Sequence, residues 1–259
     1  MNCEHAGAQV RHLFRELCDE AGAECRESFG QILRRSDDIG AHGHPLRDHL
    51  RPVRLTRTCL ALRTNGAPSN KIARAQIHRM LSRSIVSLVA TAWLVDERLP
   101  VGAADDAIRL CDPELATGMP TAGLRTVDRG TVEEFGTMIG AIARRLECVG
   151  DRRATVAPTI QASNIAIGML SPWFGLRRHG AAPERVADGM KRFLEIAAPD
   201  FVSAIDWPTA GPDGTADIVA ERAPARPVRA TCCLKYACAS KRFCGTCPLR
   251  RIDAAGSAT

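Results

Sequence analysis

The chain has 259 residues, enough to bury a sizeable core as one large domain or as one domain with a small module. Aromatic residues make up only 4% of it, and the apolar inventory is mostly Ala, Leu, Ile and Val, which suits helices better than sheets. A formal charge of +6 is too small to argue for nucleic acid, and the longest apolar stretch, Ser84 to Val95, is about half of the roughly 20 residues that span a bilayer.

No integral membrane segment is therefore expected. The first residues show no basic segment followed by an apolar one, so no signal peptide and a cytoplasmic location are expected as well. In a reducing compartment the eleven cysteines do not make a disulfide framework. Six of them (Cys3, Cys18, Cys25, Cys59, Cys111 and Cys148) are scattered, and each is expected to be a small buried or half-buried residue.

Taken in order, the apolar positions from Val10 to Leu33 recur at helical spacing, with Gly22 and Gly30 as points of division. Asp37 to Arg57 is polar and basic. Its three histidines, His42, His44 and His49, have no second ligand cluster nearby, and a solvated loop is expected there. Ser69-Asn70 can cap a long core helix running to about Val95, which Pro100 and Gly102 end. Leu110 to Val127, broken by Pro and Gly, reads as loop with one or two short strands.

Thr131-Val-Glu-Glu134 has the spacing of a capping box and opens a helix through Leu146. The next helix runs from about Thr159 to Leu170, where Ser171-Pro172 is expected to interrupt it. Trp173, Phe174, Arg177, Arg178 and His179 follow. They read either as the lining of a ligand pocket or as a partly buried turn with a basic edge. Pro183 suits the first turn of a further helix, and Phe201 to Ile205 reads as a short strand. Pro208 to Pro227 reads as a surface connection.

The predicted fold is thus mainly α with a few short β-strands, an α+β arrangement. A helical body, residues 1–225, precedes a small four-cysteine module, residues 226–252, and a disordered tail, residues 253–259.

That module carries the chemistry. Five cysteines fall within sixteen residues: the adjacent Cys232 and Cys233, Cys238, and the C-x2-C pair Cys244 and Cys247. Gly245 permits the tight turn that lets the last pair converge on a metal. Adjacent side chains on an extended strand point to opposite faces, so Cys232 and Cys233 serve one site only if the backbone bends or the site is wide. Four thiolates suit a 2Fe–2S cluster or a zinc ribbon, and the adjacent pair favours the two-iron cluster; a thiol redox switch is the third reading.

From Arg222 through Ile252 there is no Asp or Glu, whereas Arg222, Arg226, Arg229, Lys235, Lys241, Arg242, Arg250 and Arg251 are basic. Such cations stabilise the reduced form of a negatively charged cluster and can draw in an anionic substrate or an acidic electron donor. With only Tyr236 and Phe243 interleaved there is little on which bases could stack, so no nucleic acid is expected. The chain shows no G-x-G-x-x-G after a strand, no G-x4-G-K-[ST], no G-x-S-x-G and no H-E-x-x-H, so any electrons are expected to come from another protein.

The run Cys232-Cys233, ten residues, Cys244, two residues, Cys247-Pro248-Leu249 resembles the C-terminal signature of the FhuF-type ferric-siderophore reductase family. The resemblance implies that Cys232, Cys233, Cys244 and Cys247 hold a 2Fe–2S cluster, and that Cys238, inside the spacer, is not a ligand. It further implies a cytoplasmic enzyme that passes one electron to the iron of an imported hydroxamate-type siderophore, fed by an external ferredoxin-like or flavoprotein-like donor. Trp173, Arg177, Arg178, Lys241 and Arg242 are the candidates for substrate docking. The alternatives are a 2Fe–2S electron-transfer or iron-sensing protein without reductase activity, and a zinc-stabilised binding module.

Overall fold

The computed structural model describes residues 3–111, 120–125, 127–150, 155–207, 227–238 and 244–248. Two stretches of the sequence, far apart in number, meet at its centre: helix α5 (Asn70–Asp96) packs along helix α8 (Pro158–Arg178). Helix α5 starts where the sequence predicts, because the Ser69 hydroxyl accepts a hydrogen bond from the Ile72 amide at 3.3 Å. Its buried residues run from Ala73 to Leu94 on every face, as expected of a helix enclosed by others. Close approach to α8 is made possible by Gly168, where a Cβ would lie 2.8 Å from the Ser82 carbonyl oxygen.

Around this pair stand α1 (Cys3–Glu20), α2 (Ala23–His42), α3 (Leu46–His49), α4 (Pro52–Thr64), α6 (Ala104–Ala107), α7 (Val132–Leu146) and α9 (Pro183–Ala197). The core at the tryptophan end of α5 is aromatic. Trp93 packs against Phe135 and Phe193, and Trp173 against Phe14 and Phe193, with ring centroids 4.9 to 6.1 Å apart. The Trp93 indole N–H donates to the Gly130 carbonyl at 3.0 Å.

The strands are short and antiparallel. Strand β1 (His44–Pro45) pairs with β3 (Ile108–Leu110), which pairs with β4 (Ala122–Leu124). Strand β2 (Arg98–Pro100) pairs with β5 (Val127–Arg129), and β6 (Ile205–Asp206) with β7 (Val228–Arg229). The last of these fastens the C-terminal segment to the helices, with Ile205 opposite Arg229. Among the described residues no helix is long and apolar enough to cross a membrane.

The mainly helical fold with short strands agrees with the sequence reading, and several local expectations need correction. The expected loop from Asp37 to Arg57 is largely helix: α2 extends to His42, and α3 and α4 follow. Its buried stripe continues through Ser36, Ile39 and Gly40, and the missing side chain of Gly40 admits strand β4, since a Cβ there would collide with the Leu124 carbonyl oxygen. Gly30 lies inside α2, so only Gly22 divides the first two helices. Helix α5 ends at Glu97, a left-handed residue, while Pro100 belongs to β2.

Pro172 does not interrupt α8. A proline inside a helix costs about 3 kcal/mol, but Met169, Leu170, Trp173 and Leu176 are all fully buried around it, each worth about 1.5–3 kcal/mol. Residues 199–204 form a 3-10 turn before β6 instead of a strand. Cys18, Cys25 and Cys59 are buried as expected, whereas Cys3, Cys111 and Cys148 are exposed. The connection at 208–226 and the tail at 253–259 lie outside the described residues.

Candidate metal centre

After β7 the chain makes two turns that face each other. In the first, Leu234 adopts a left-handed conformation (φ 61°), its amide donates to the Cys232 sulfur at 3.4 Å, and the Lys235 backbone hydrogen-bonds to the Cys233 sulfur. The second runs from Cys244 to Cys247. There the Cys247 amide donates to the Cys244 carbonyl at 3.2 Å, and Thr246 offers both its backbone and its hydroxyl to the Cys244 sulfur. Leu234 thus turns the chain directly after the adjacent cysteines, with the sulfurs of both facing the second turn.

These turns bring all four cysteines of the signature together. The Cys233 thiol donates to the Cys244 sulfur at 3.6 Å, and Cys232 is hydrogen-bonded to Cys247. Among the described residues no three His, Cys, Asp or Glu side chains are arranged around a single point as metal ligands; the sulfurs form two neighbouring pairs instead. Cys233 and Cys247 are buried, and Cys232 and Cys244 are half-buried, so the group lies just under the surface. Cys238 is half-buried, packs against the helical core and lies near Arg79 and Lys235.

The charge environment separates the thiols. Cys244 is pulled down to about 5, first by the hydrogen bond from Cys233 and also by Arg229 and the Thr246 donors. Cys233 is pushed up because it gives that hydrogen bond and because it is buried. Burial and the neighbouring sulfurs push Cys232 up too.

Arg229 is the buried cation of the site, 4% exposed. It donates to the Asn164 side-chain oxygen at 2.6 Å and to the Thr246 hydroxyl at 3.2 Å, and burial lowers its pKa against the pull of Cys233 and Cys244. The Asn164 amide nitrogen in turn lies 3.1 Å from Nδ1 of His78, which is also 3.2 Å from the Ser82 hydroxyl. Burial, with Arg229 adding to it, lowers His78 to about 4, so its ring is neutral near pH 7 and Nδ1 accepts from Asn164.

Other contacts pin the cysteine backbone to the helices. Gln76 of α5 donates to the Cys233 carbonyl at 2.7 Å, and the Arg79 Nε donates to Gln76 at 2.8 Å. On α8, Ser163 shares a 2.9 Å hydrogen bond with Thr231, whose hydroxyl also donates to the Thr159 carbonyl at 2.8 Å. Arg83, exposed on α5, lies within the electrostatic reach of Arg79, Arg178 and Cys244. Four arginines thus gather at this edge of the molecule.

The substrate candidates fare differently. Trp173 is fully buried between Phe14 and Phe193, so it is a core residue and lines no pocket. Arg177 and Arg178 form the last turn of α8, with Arg177 half-buried and Arg178 exposed. His179 caps that helix through its backbone. Lys241 and Arg242 lie outside the described residues. Sequence reasoning missed Gln76, His78, Arg79, Arg83 and Asn164. The available signal was polar residues at positions 76, 78 and 82 inside the apolar pattern of α5, and Ser163-Asn164 inside that of α8.

Residues 229–249 match the family model of the FhuF 2Fe-2S C-terminal domain. The match takes in Arg229 and all four cysteines of the two turns, and it indicates a 2Fe–2S cluster as the cofactor. No curated protein and no solved structure matches the chain. The donor set fits the cofactor: four sulfurs, in two pairs, is the complement that two irons require.

Proposed function

We propose that the protein is a cytoplasmic ferric-siderophore reductase. Its substrate would be Fe(III) held in a hydroxamate-type siderophore, and its product Fe(II). Cys232, Cys233, Cys244 and Cys247 would hold the 2Fe–2S cluster, which when bound supplies a one-electron relay between an external donor protein and the ferric complex. The observation that carries the reading is the FhuF-type match over a site whose four cysteines lie just beneath the surface at a cationic edge.

The chain's own residues have three tasks. The turns at Leu234 and at Cys244–Cys247 hold the sulfurs together. Arg229, kept in place by Asn164 and Thr246, balances negative charge from below. Arg79, Arg83 and Arg178 provide positive charge at the rim, where an oxygen-rich chelate or an acidic donor can dock, with Arg177, Lys241 and Arg242 as further docking candidates. Hard oxygen donors hold ferric iron far better than ferrous iron, so one added electron loosens the complex without cleavage of the chelator. This chemistry asks for no general acid, base or nucleophile.

The test is single-turnover oxidation of the anaerobically reduced protein by a ferric trihydroxamate, followed at the cluster's visible absorbance. Rapid reoxidation is expected. A reduced protein that no ferric chelate reoxidises would leave an electron-transfer or iron-sensing role in place of the reductase.

A further inference from the structure

The spacing of the cysteines suggests a partition along the chain, with Cys232 and Cys233 on one metal and the C-x2-C pair on the other. The close contacts run the other way. We infer that the two irons are held by crossed pairs, Cys233 with Cys244 at one and Cys232 with Cys247 at the other. The inference rests on the ligand set proposed above.

Two observations, set against ligand geometry, carry it. Metal–thiolate bonds of about 2.3 Å at a tetrahedral centre hold two sulfurs about 3.8 Å apart. The Cys233 and Cys244 sulfurs are 3.6 Å apart, the separation expected of two ligands on one metal. Cys232 lies within hydrogen-bonding reach of Cys247, the cysteine of the second turn that the Cys233–Cys244 pair leaves over.

The backbone explains the crossing. Residues 232 and 233 stand between the bend at residues 230–231 and the left-handed Leu234, and their sulfurs meet different partners in the opposing turn. In the opposing turn the Cys244 sulfur is engaged by the Thr246 backbone and hydroxyl beside Arg229 and Cys233, whereas Cys247 reaches Cys232. Each turn thus contributes one sulfur to each pair. The arrangement ties the two turns together twice.

The crossing also makes the two irons unequal. Arg229, bonded to Thr246, acts on Cys233 and Cys244, so an iron held by those two would lie nearer the buried cation. Arg229 would favour the ferrous state of that iron, because positive charge stabilises it.

Mössbauer spectra of the 57Fe-loaded full chain test this without reference to siderophore reduction. Single Cys→Ser changes at the four positions are compared in the reduced state, where ferrous and ferric irons are resolved. In the residual cluster of any variant that keeps some iron, Cys233→Ser and Cys244→Ser are expected to alter the ferrous component, and Cys232→Ser and Cys247→Ser the ferric one. Any other grouping, Cys232 with Cys233 above all, overturns the crossed assignment.

If a variant does not retain iron, disulfide closure in the apo full chain decides the matter. Far-UV circular dichroism first establishes that each variant keeps the helical content of the parent. Diamide then takes two electrons and two protons from a thiol pair. The Cys232→Ser/Cys247→Ser variant, which leaves Cys233 and Cys244, is expected to close at least tenfold faster than Cys232→Ser/Cys233→Ser, which leaves the C-x2-C pair. Equal rates or the reverse order contradict the inference. Loss of the grouping with iron still bound refutes only the crossing, whereas full iron retention in all four single variants refutes the ligand set itself.

Discussion

The same two helices, α5 and α8, build two unlike interiors. Toward Trp93 and Trp173 they enclose aromatic rings and aliphatic side chains. Toward His78 and Asn164 they enclose a hydrogen-bonded relay that ends on Arg229 and the cysteine turns. Both interiors are buried, yet they answer different demands. Apolar packing adds stability through area and shape and tolerates no voids. A buried polar relay adds little net stability and is costly when one member is lost, but it fixes where a charge sits. The aromatic half therefore keeps the molecule folded, and the polar half fixes where a buried positive charge sits beside the cysteine turns.

The comparison can be broken by experiment, beginning with the largest effect. Serine at any one of Cys232, Cys233, Cys244 or Cys247 is expected to abolish or sharply reduce the normal iron and sulfide content, measured chemically on anaerobically purified protein. Cys238→Ser is expected to change it little, because Cys238 packs against the helical core. Trp173→Ala should cost about 3–5 kcal/mol through the cavity left beside Phe14 and Phe193, read as a lowered thermal midpoint. Iron per folded chain should be unchanged in that variant. A Trp173 variant that folds normally but loses its iron would erase the division between the halves.

Arg229→Gln probes the other side. With the buried cation gone, the reduced state is expected to lose at least tenfold in its equilibrium with the oxidised state, about 59 mV for one electron, in an equilibrium redox titration. The iron content should persist. A potential that does not move would show that Arg229 is structural only.

The smallest effect is on acid stability. Folding lowers His78 from 6.5 to about 4, through burial and then Arg229, so the unfolded chain binds a proton that the folded chain refuses. The stability tied to this neutral ring is complete above pH 6.5 and is lost as the pH falls toward 4, by roughly 3 kcal/mol. Denaturant midpoints of the apo chain across that window should show the decline, to which His49, also lowered to about 4 by burial, contributes with the same sign. A flat profile between pH 6.5 and 4 would contradict a neutral, buried His78.

What could be read from the sequence follows the range of the interactions involved. The Ser69 cap and the Thr131–Glu134 capping box are local, and both stand where the residues place them. Pro172 and the helical stretch after Asp37 were illegible, since burial by distant elements overrides the local preference. The cysteine spacing pointed to a metal, but the direction of the sulfur contacts did not follow from it. Arg229 joins Asn164 across 65 positions, and Asn164 joins His78 across 86, a relay that only the packing of α5 on α8 creates. Trp173 illustrates the reverse error: an aromatic beside basic residues reads as a binding edge until the core is seen to enclose it.

The central claim is most directly tested by counting electrons. The protein is reduced anaerobically, freed of reductant and mixed with an excess of ferric trihydroxamate in the presence of a chromogenic Fe(II) chelator. One ferrous ion trapped per electron stored, with no such yield from the Cys233→Ser variant, is the predicted result. A wild-type protein that keeps its electron and releases no ferrous iron would contradict the account.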